Sequence, residues 1–153
     1  MFGGTLEPVR LPWSWATERL ETARTYWIAT TRRNGRPHTR PIWAVWLEEA
    51  LYFGTGSLAL ETLTVGGPLT VHLDSGSDVV ILEGRSASVT DAGLVARICE
   101  DYNRKYQWDL TPDTLPGPFS TIVPEVAFGW ISDNSGLDRG SLFHGSATRW
   151  RFS

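Results

Sequence analysis

The chain is poor in several residue types, and each shortage removes a class of function. Its 153 residues hold one cysteine, Cys99, which excludes an internal disulfide and any cysteine-based structural zinc site. The three histidines, His38, His72 and His144, are too scattered for a recognisable metal-ligand spacing. Cations are in deficit, with 14 Lys and Arg against 17 Asp and Glu and a net charge of −3, so the basic stripe of a nucleic-acid binder is not expected. No run approaches the ~18 apolar residues of a membrane span. The N-terminal MFGGTLEPVRLPW has no basic stretch leading into an apolar one, so no signal peptide is read. The expectation is a soluble, cytoplasmic chain whose partners are neither nucleic acid nor membrane.

What is present is apolar material: 41% of residues are hydrophobic and eight are tryptophan, enough for one real core in a single domain spanning 1–153. The stretch Tyr26 to Gly56 reads as three consecutive antiparallel strands. Asn34-Gly35 supplies the positive-φ residues of the first turn, and Glu48-Glu49 falls where a second reversal is needed. In the middle strand Trp43, Val45 and Leu47 point one way and Ile42, Ala44 and Trp46 the other. Both faces therefore need cover: a barrel core on one side and a partner subunit, a ligand, or both on the other.

Around this meander the pattern gives a first helix over Pro12–Arg24 and a helical turn over Ser57–Val65. Further strands follow over Leu69–Leu73 and Val79–Val89. Asp91 caps a second helix whose Val95, Ile98, Cys99, Tyr102 and Tyr106 recur at helical spacing. Gln107–Ser120 reads as a loop, Thr121–Ile131 and Ala147–Phe152 as closing strands, and the Gly/Ser-rich Ser132–Ser146 as their connection. The sum is an α+β, mainly β, order that fits a six-stranded antiparallel Greek-key barrel with flanking helices. So small a barrel is filled by its own side chains, and a ligand must lie outside it, best in the groove of a homodimer.

Nucleophilic and metal chemistry find little support. Ser57 has no Gly-x-Ser-x-Gly context, Asp74 and Asp78 flank a Ser-Gly-Ser turn, and Cys99 sits on an apolar stripe. His72 alternates with apolar residues and reads as structural, while His38 is balanced between a rim plug and a ligand contact. His144, in the Gly/Ser segment, reads as a substrate contact or nothing. No acid/base pair emerges.

Four runs carry a family resemblance: Gly35-Arg36-Pro37-His38, Pro41-Ile42-Trp43, Leu51 to Thr55, and the closing Thr148 to Phe152. In order and spacing they resemble the pyridoxamine 5′-phosphate oxidase-like split β-barrels, more closely the branch that binds flavin mononucleotide (FMN) or the deazaflavin coenzyme F420. The resemblance implies an obligate homodimer with two interface cofactors, each touched by both chains. It places Arg40 on the flavin phosphate, a role suited to the guanidinium fork. It places Pro37, His38, Pro41, Ile42 and Trp43 along the cofactor and Gly54, Thr55, Gly56, Ser57 and Leu58 around its phosphate end. From the partner chain it brings Trp130 and Arg149 near the ring. Relatives carry basic residues after the third strand where this chain has Leu58 and Ala59. A phosphate here would rest on Arg40, the Thr55 and Ser57 hydroxyls and backbone N–H groups.

The implied function is an oxidoreductase moving hydride between that cofactor and a small planar unsaturated acceptor, with no true pyridoxamine-phosphate oxidase activity. The alternative is a non-enzymatic split barrel that binds a flavin, haem or another planar ligand, or that has lost its cofactor.

Overall fold

The computed structural model describes residues 10–54 and 66–153. The helical turn expected over Ser57–Val65 lies outside them. Helix α1 (Trp13–Thr22) starts directly after Pro12 and buries Ala16 and Leu20, one turn apart, against the sheet. Eight strands follow: β1 (Tyr26–Thr31), β2 (Pro37–Ile42), β3 (Ala44–Leu47), β4 (Ala50–Gly54), β5 (Pro68–Leu73), β6 (Asp78–Ser88), β7 (Phe119–Ile131) and β8 (Thr148–Arg151). Helix α2 (Ala92–Tyr106) lies between β6 and β7, and α3 (Ser141–Ser146) between β7 and β8. No helix among the described residues is long and apolar enough to cross a membrane.

The sheet order is β2-β1-β5-β6-β7-β4-β3, entirely antiparallel, with β8 added to β7. Its two terminal strands, β2 and β3, are neighbours in the chain, separated only by Trp43. Taken as one interrupted passage they complete a ring of six strands, the expected split barrel. The ring closes through the covalent chain rather than through a ladder of hydrogen bonds. The expected three-stranded meander is thus two splayed hairpins: the first half of the middle passage pairs with β1, and the second half pairs with β4.

Two cores follow from the alternation in β3, where Ala44, Val45 and Trp46 are all buried. Ala44 and Trp46 enter the barrel interior with Tyr26, Phe53, Leu82 and Ile122. Val45 packs outside it with Tyr52, Ile98, Cys99, Tyr102 and Phe119. The second face of the passage was expected to meet a partner or ligand. At Val45 and Leu47 it is instead covered by the chain's own α2. That helix has the expected stripe and cap, the Asp91 carboxylate accepting the Leu94 N–H at 2.7 Å. Trp43 alone stays 60% exposed.

Three local readings change. In the first hairpin only Gly35 takes positive φ (+82°), after a turn closed by its N–H on the Arg32 carbonyl at 2.9 Å; Asn34 accepts the Arg36 N–H instead. Phe119 and Ser120 belong to β7, not to the preceding loop. The Gly/Ser segment contains α3, held at its start by Asp138, whose carboxylate accepts the Gly140 and Leu142 N–H groups.

The second reversal lies at Glu48-Glu49, with φ of 51° and 62° in a two-residue turn between Leu47 and Ala50. Left-handed backbone costs an ordinary L-residue roughly 1–2 kcal/mol. The side chains put the turn to use, since Trp13 Nε1–H donates to Glu49 Oε2 (2.9 Å) and Arg97 Nε approaches Glu48 Oε1 (3.5 Å). The Glu48 contact is exposed and worth little. Glu48→Asn, which tolerates this backbone better, should raise stability by about 0.5–1 kcal/mol in urea unfolding; a lower midpoint would show that the Arg97 contact outweighs the turn.

Candidate functional site

The pairing of β3 with β4 runs from Leu47↔Ala50 to Ala44↔Phe53 and stops. Trp43 and Gly54 would form the next pair. There the strands part, and the gap is the mouth of a cavity of about 340 Å³. One lip is Arg40, Pro41, Ile42 and Trp43; the other is Gly54 with Phe119. Tyr102 and Trp108 form an aromatic wall, and Leu110, Leu115, Pro116 and Gly117 bring the proline-rich loop over it.

Among the described residues β2 pairs only with β1, so the lip at β2 is there also a sheet edge. Proline fits an antiparallel ladder only where its nitrogen faces away from the neighbouring strand. Pro37 and Pro41 share a parity, so with Thr39 they turn their peptide groups to the open side, and Pro41 offers a carbonyl there but no N–H.

Helix α2 holds the strand break. The Tyr102 hydroxyl donates to the Trp43 carbonyl at 2.8 Å, and the Tyr52 carbonyl lies 3.3 Å away. The Tyr106 hydroxyl accepts the Ala44 N–H (3.2 Å) and has the Ala44 and Arg24 carbonyls within reach at 3.0 and 2.9 Å. Lys105 Nζ donates to the Ala44 carbonyl (3.0 Å) and to the Tyr26 hydroxyl (2.7 Å), which in turn donates to the Leu20 carbonyl. The same helix hangs the opposite wall. It ends at Gln107 in left-handed conformation (φ 58°), which turns Trp108 back to stack on Tyr102 (5.5 Å, 9°) and Tyr106 (5.2 Å) and to meet Trp43 edge-on at 5.5 Å. The Asn103 amide then pins Leu110 twice, donating to its carbonyl at 2.9 Å and accepting its N–H at 2.8 Å.

Arg40 is the one charged side chain among the described lining residues. The ion pairs of the described residues engage Arg19, Arg85, Arg97 and Arg104, and none engages Arg40. Burial raises the pKa of Tyr102, so its hydroxyl stays a donor at neutral pH. Burial, seconded by Arg24, lowers Lys105 from its usual 10.5 to about 8, against a small opposing pull from Asp101.

Of the residues expected to hold a cofactor, Arg40, Pro41, Ile42, Trp43 and Gly54 meet in this cavity. Pro37 and His38 lie farther along β2 toward the hairpin tip, where Arg32 Nη2 donates to His38 Nδ1 at 2.9 Å. Trp130 packs edge-on against Phe143 (5.3 Å), and Arg149 sits opposite Phe128 on β8; neither lines the cavity. Thr55, Gly56, Ser57 and Leu58 lie outside the described residues. The wall of Tyr102, Trp108 and the 110–117 loop was missed. Its signal was Trp108 immediately after the helical stripe, read as loop. His72 is structural as expected, its Nδ1 bonded to the Leu73 carbonyl and its ring stacked on Trp27.

Residues 16–135 match the family model described as pyridoxamine 5′-phosphate oxidase. Among solved structures, the chain is similar to a conserved hypothetical protein from Mycobacterium tuberculosis (17% identity, 89% of this chain and 94% of that one, TM-score 0.67). It is also similar to the general stress protein 26 of Bacillus anthracis strain Sterne (21%, 76% and 91%, TM-score 0.62). A third is a protein from Mycobacterium smegmatis described as FAD-binding (17%, 78% and 95%, TM-score 0.55). No curated protein sequence matches the chain.

Because Lys105 loses its proton near pH 8 in the folded chain and near 10.5 in the unfolded one, unfolding between those values takes up a proton and stability rises with pH. Below about 8 this contribution is flat at its lowest. Above 10 the buried tyrosines, whose pKa values are raised, act in the opposite sense. Thermal unfolding from pH 7 to 10 should show a rise in midpoint relative to Lys105→Met, worth about 1 kcal/mol after solvent screening. Parallel profiles for the two proteins would contradict it.

Proposed function

Taking as premise that the chain belongs to the pyridoxamine 5′-phosphate oxidase family, we propose that it binds a flavin-type ring in the split between β2 and β4. We propose further that it acts, as a homodimer, as an oxidoreductase on a small planar unsaturated acceptor. The observation that carries this reading is that Arg40, Pro41, Ile42, Trp43 and Gly54 line one cavity with Tyr102 and Trp108. The FAD-binding description of the M. smegmatis neighbour supports a flavin-type cofactor.

The residues fit such a group. Trp43 and Trp108 offer two indole surfaces at the mouth for a flat conjugated system. The Pro41 carbonyl on the free edge suits a ring N–H, and Arg40 suits an anionic substituent. When bound, the ring supplies the hydride chemistry. The chain binds it, orients it and excludes water with its apolar walls. Among the described lining residues no side chain is placed to carry a proton, since the Tyr102 hydroxyl is spent on the Trp43 carbonyl. Protons would come from solvent.

With one cation among the described lining residues, the cavity favours a cofactor whose tail gains contacts elsewhere over one needing a dense phosphate cage, so the deazaflavin coenzyme F420 should bind more tightly than FMN. Pyridoxamine-phosphate oxidation, which needs cations for a second phosphate, should be absent. The exposed Trp43 and Trp108 invite cover by a second copy, which would bring Trp130 and Arg149 toward the cavity. The lack of a proton carrier also fits a second reading, a non-enzymatic carrier of a planar ligand. Bound cofactor that never turns over with any reductant or acceptor would favour it.

Arg40→Ala should weaken cofactor binding tenfold or more in fluorescence titrations while leaving the fold intact; an unchanged Kd would move the anionic group elsewhere. Light scattering at low micromolar concentration should give twice the mass of the chain, with more than ~1,000 Å² buried, and a monomer would end the dimer reading.

A further inference from the structure

The sheet has a second opening, at the far end of β1. The β1–β5 ladder runs from Tyr26↔Leu73 to Ala29↔Thr70 and stops, although Thr30 and Leu69 stand next in register; beyond them Pro68 has no N–H to give. Two strands on, β7 carries a bulge: Glu83 pairs with Val126 and Gly84 with Pro124, which leaves Glu125 unpaired. Between these two irregularities lies a cavity of about 330 Å³. It is separate from the ring cavity. Thr31 and Pro37 pair beside this one, whereas Ile42, which lines the other, pairs with Tyr26 at the opposite end of β1.

The lining divides into a floor and a rim. Thr30 shares the inward parity of Tyr26 and Ile28, and Leu69 and Gly84, paired with each other, line the cavity with it. These three make the floor. A Cβ on Gly84 would lie 2.6 Å from the Val123 carbonyl, so this position stays without a side chain. Thr30 is only 8% exposed, yet its hydroxyl has no hydrogen-bond partner. A hydroxyl so buried carries a desolvation cost that an incoming polar group would remove. The outward parity gives the rim: Thr31, Thr70 and Glu83, joined by Glu125 at the bulge. Two carboxylates thus line the cavity, and no cation does among the described lining residues. Glu83 makes no ion pair among the described residues. Glu125 meets Arg85 at 3.5 Å, but both side chains of that pair are 62% exposed and the contact is worth little.

We propose that this cavity is a binding site for a small amino alcohol, whose ammonium group lies between Glu83 and Glu125 and whose hydroxyl reaches Thr30. An ammonium donates three N–H bonds, which the two carboxylates and the Thr31 and Thr70 hydroxyls can accept. The Thr30 hydroxyl both donates and accepts, as an alcohol does, so the two satisfy each other in either sense. An anion would be repelled by the carboxylates. A bare metal ion would leave most of the volume empty, and no group of three metal-ligating side chains occurs among the described residues. The site stands apart from the flavin-type reading and is unaffected by its outcome.

The test is nuclear magnetic resonance titration with three ligands of one shape: 3-amino-1-propanol; 1-aminobutane, with a methyl in place of the hydroxyl; and 1-butanol, with a methyl in place of the ammonium. The amino alcohol should bind most tightly and shift the Thr30, Thr31 and Thr70 amides. The amine should bind about fivefold more weakly, and the alcohol about tenfold or more. Glu83→Gln should weaken both amines about tenfold. Glu100→Gln, the same change of charge at an exposed position of α2, should leave them as they are. Thr30→Val should erase the advantage of the amino alcohol over the amine. Equal affinities for the three ligands, amide shifts elsewhere, or a preference for the amino alcohol that survives Thr30→Val would overturn the site. So would amine binding that Glu83→Gln and Glu100→Gln weaken alike, the mark of charge attraction to an acidic surface. Should Thr30→Val fail to fold, the ranking of the three ligands and the comparison of Glu83→Gln, an exposed strand position, with Glu100→Gln still decide.

Discussion

Everything distinctive here depends on three side chains of one helix holding the backbone of two residues. Tyr102, Lys105 and Tyr106 direct hydrogen bonds to the Trp43 and Ala44 peptide groups, where the passage Pro37–Leu47 changes partners. Backbone groups in a buried interior must be paired, and at this break the pairing comes from a helix instead of a neighbouring strand. The split therefore persists as a stable feature of the barrel. A continuous ladder from β4 onto Trp43 would satisfy the same groups and close the cavity.

The helix that opens the split also furnishes it. Tyr102 reaches Trp43 with its hydroxyl and Trp108 with its ring face, and Asn103 fixes the loop beyond. Both walls thus share one support, and a shift of α2 would move them together. The mixed character of the site follows: aromatic and dry near the helix, cationic toward the hairpin. Proline contributes on the remaining side, since Pro37 and Pro41 keep the β2 edge from donating a full ladder to a passing strand while leaving its carbonyls for a ligand.

Much of the fold was legible because hydrophobic alternation and helical spacing are local signals. The Val95–Tyr106 stripe, the Asp91 cap and the closing strands all follow from them. So did the need to cover both faces of Ile42–Leu47, though not what covers Val45, because contact between β3 and α2 joins residues some fifty positions apart. The break at Trp43 was invisible for a related reason: its sequence alternates without interruption, and only the donors on α2 make a broken strand preferable. Of the site, the lip from Arg40 to Trp43 was readable through its resemblance to a family, whereas the aromatic wall was not. Trp108 follows Gln107, an ordinary residue in a left-handed conformation that glycine or asparagine would have advertised. The turn at Glu48-Glu49 hides its backbone in the same way.

The central claim is that the parted strands at Trp43 and Gly54 receive a flat conjugated ring. A crystal structure of the protein grown with coenzyme F420 tests it most directly. The account predicts the ring between the Arg40–Trp43 lip and the Trp108 wall, with its edge on the Pro41 carbonyl. A ring bound elsewhere, with β4 extended onto Trp43 and the gap closed, would contradict it.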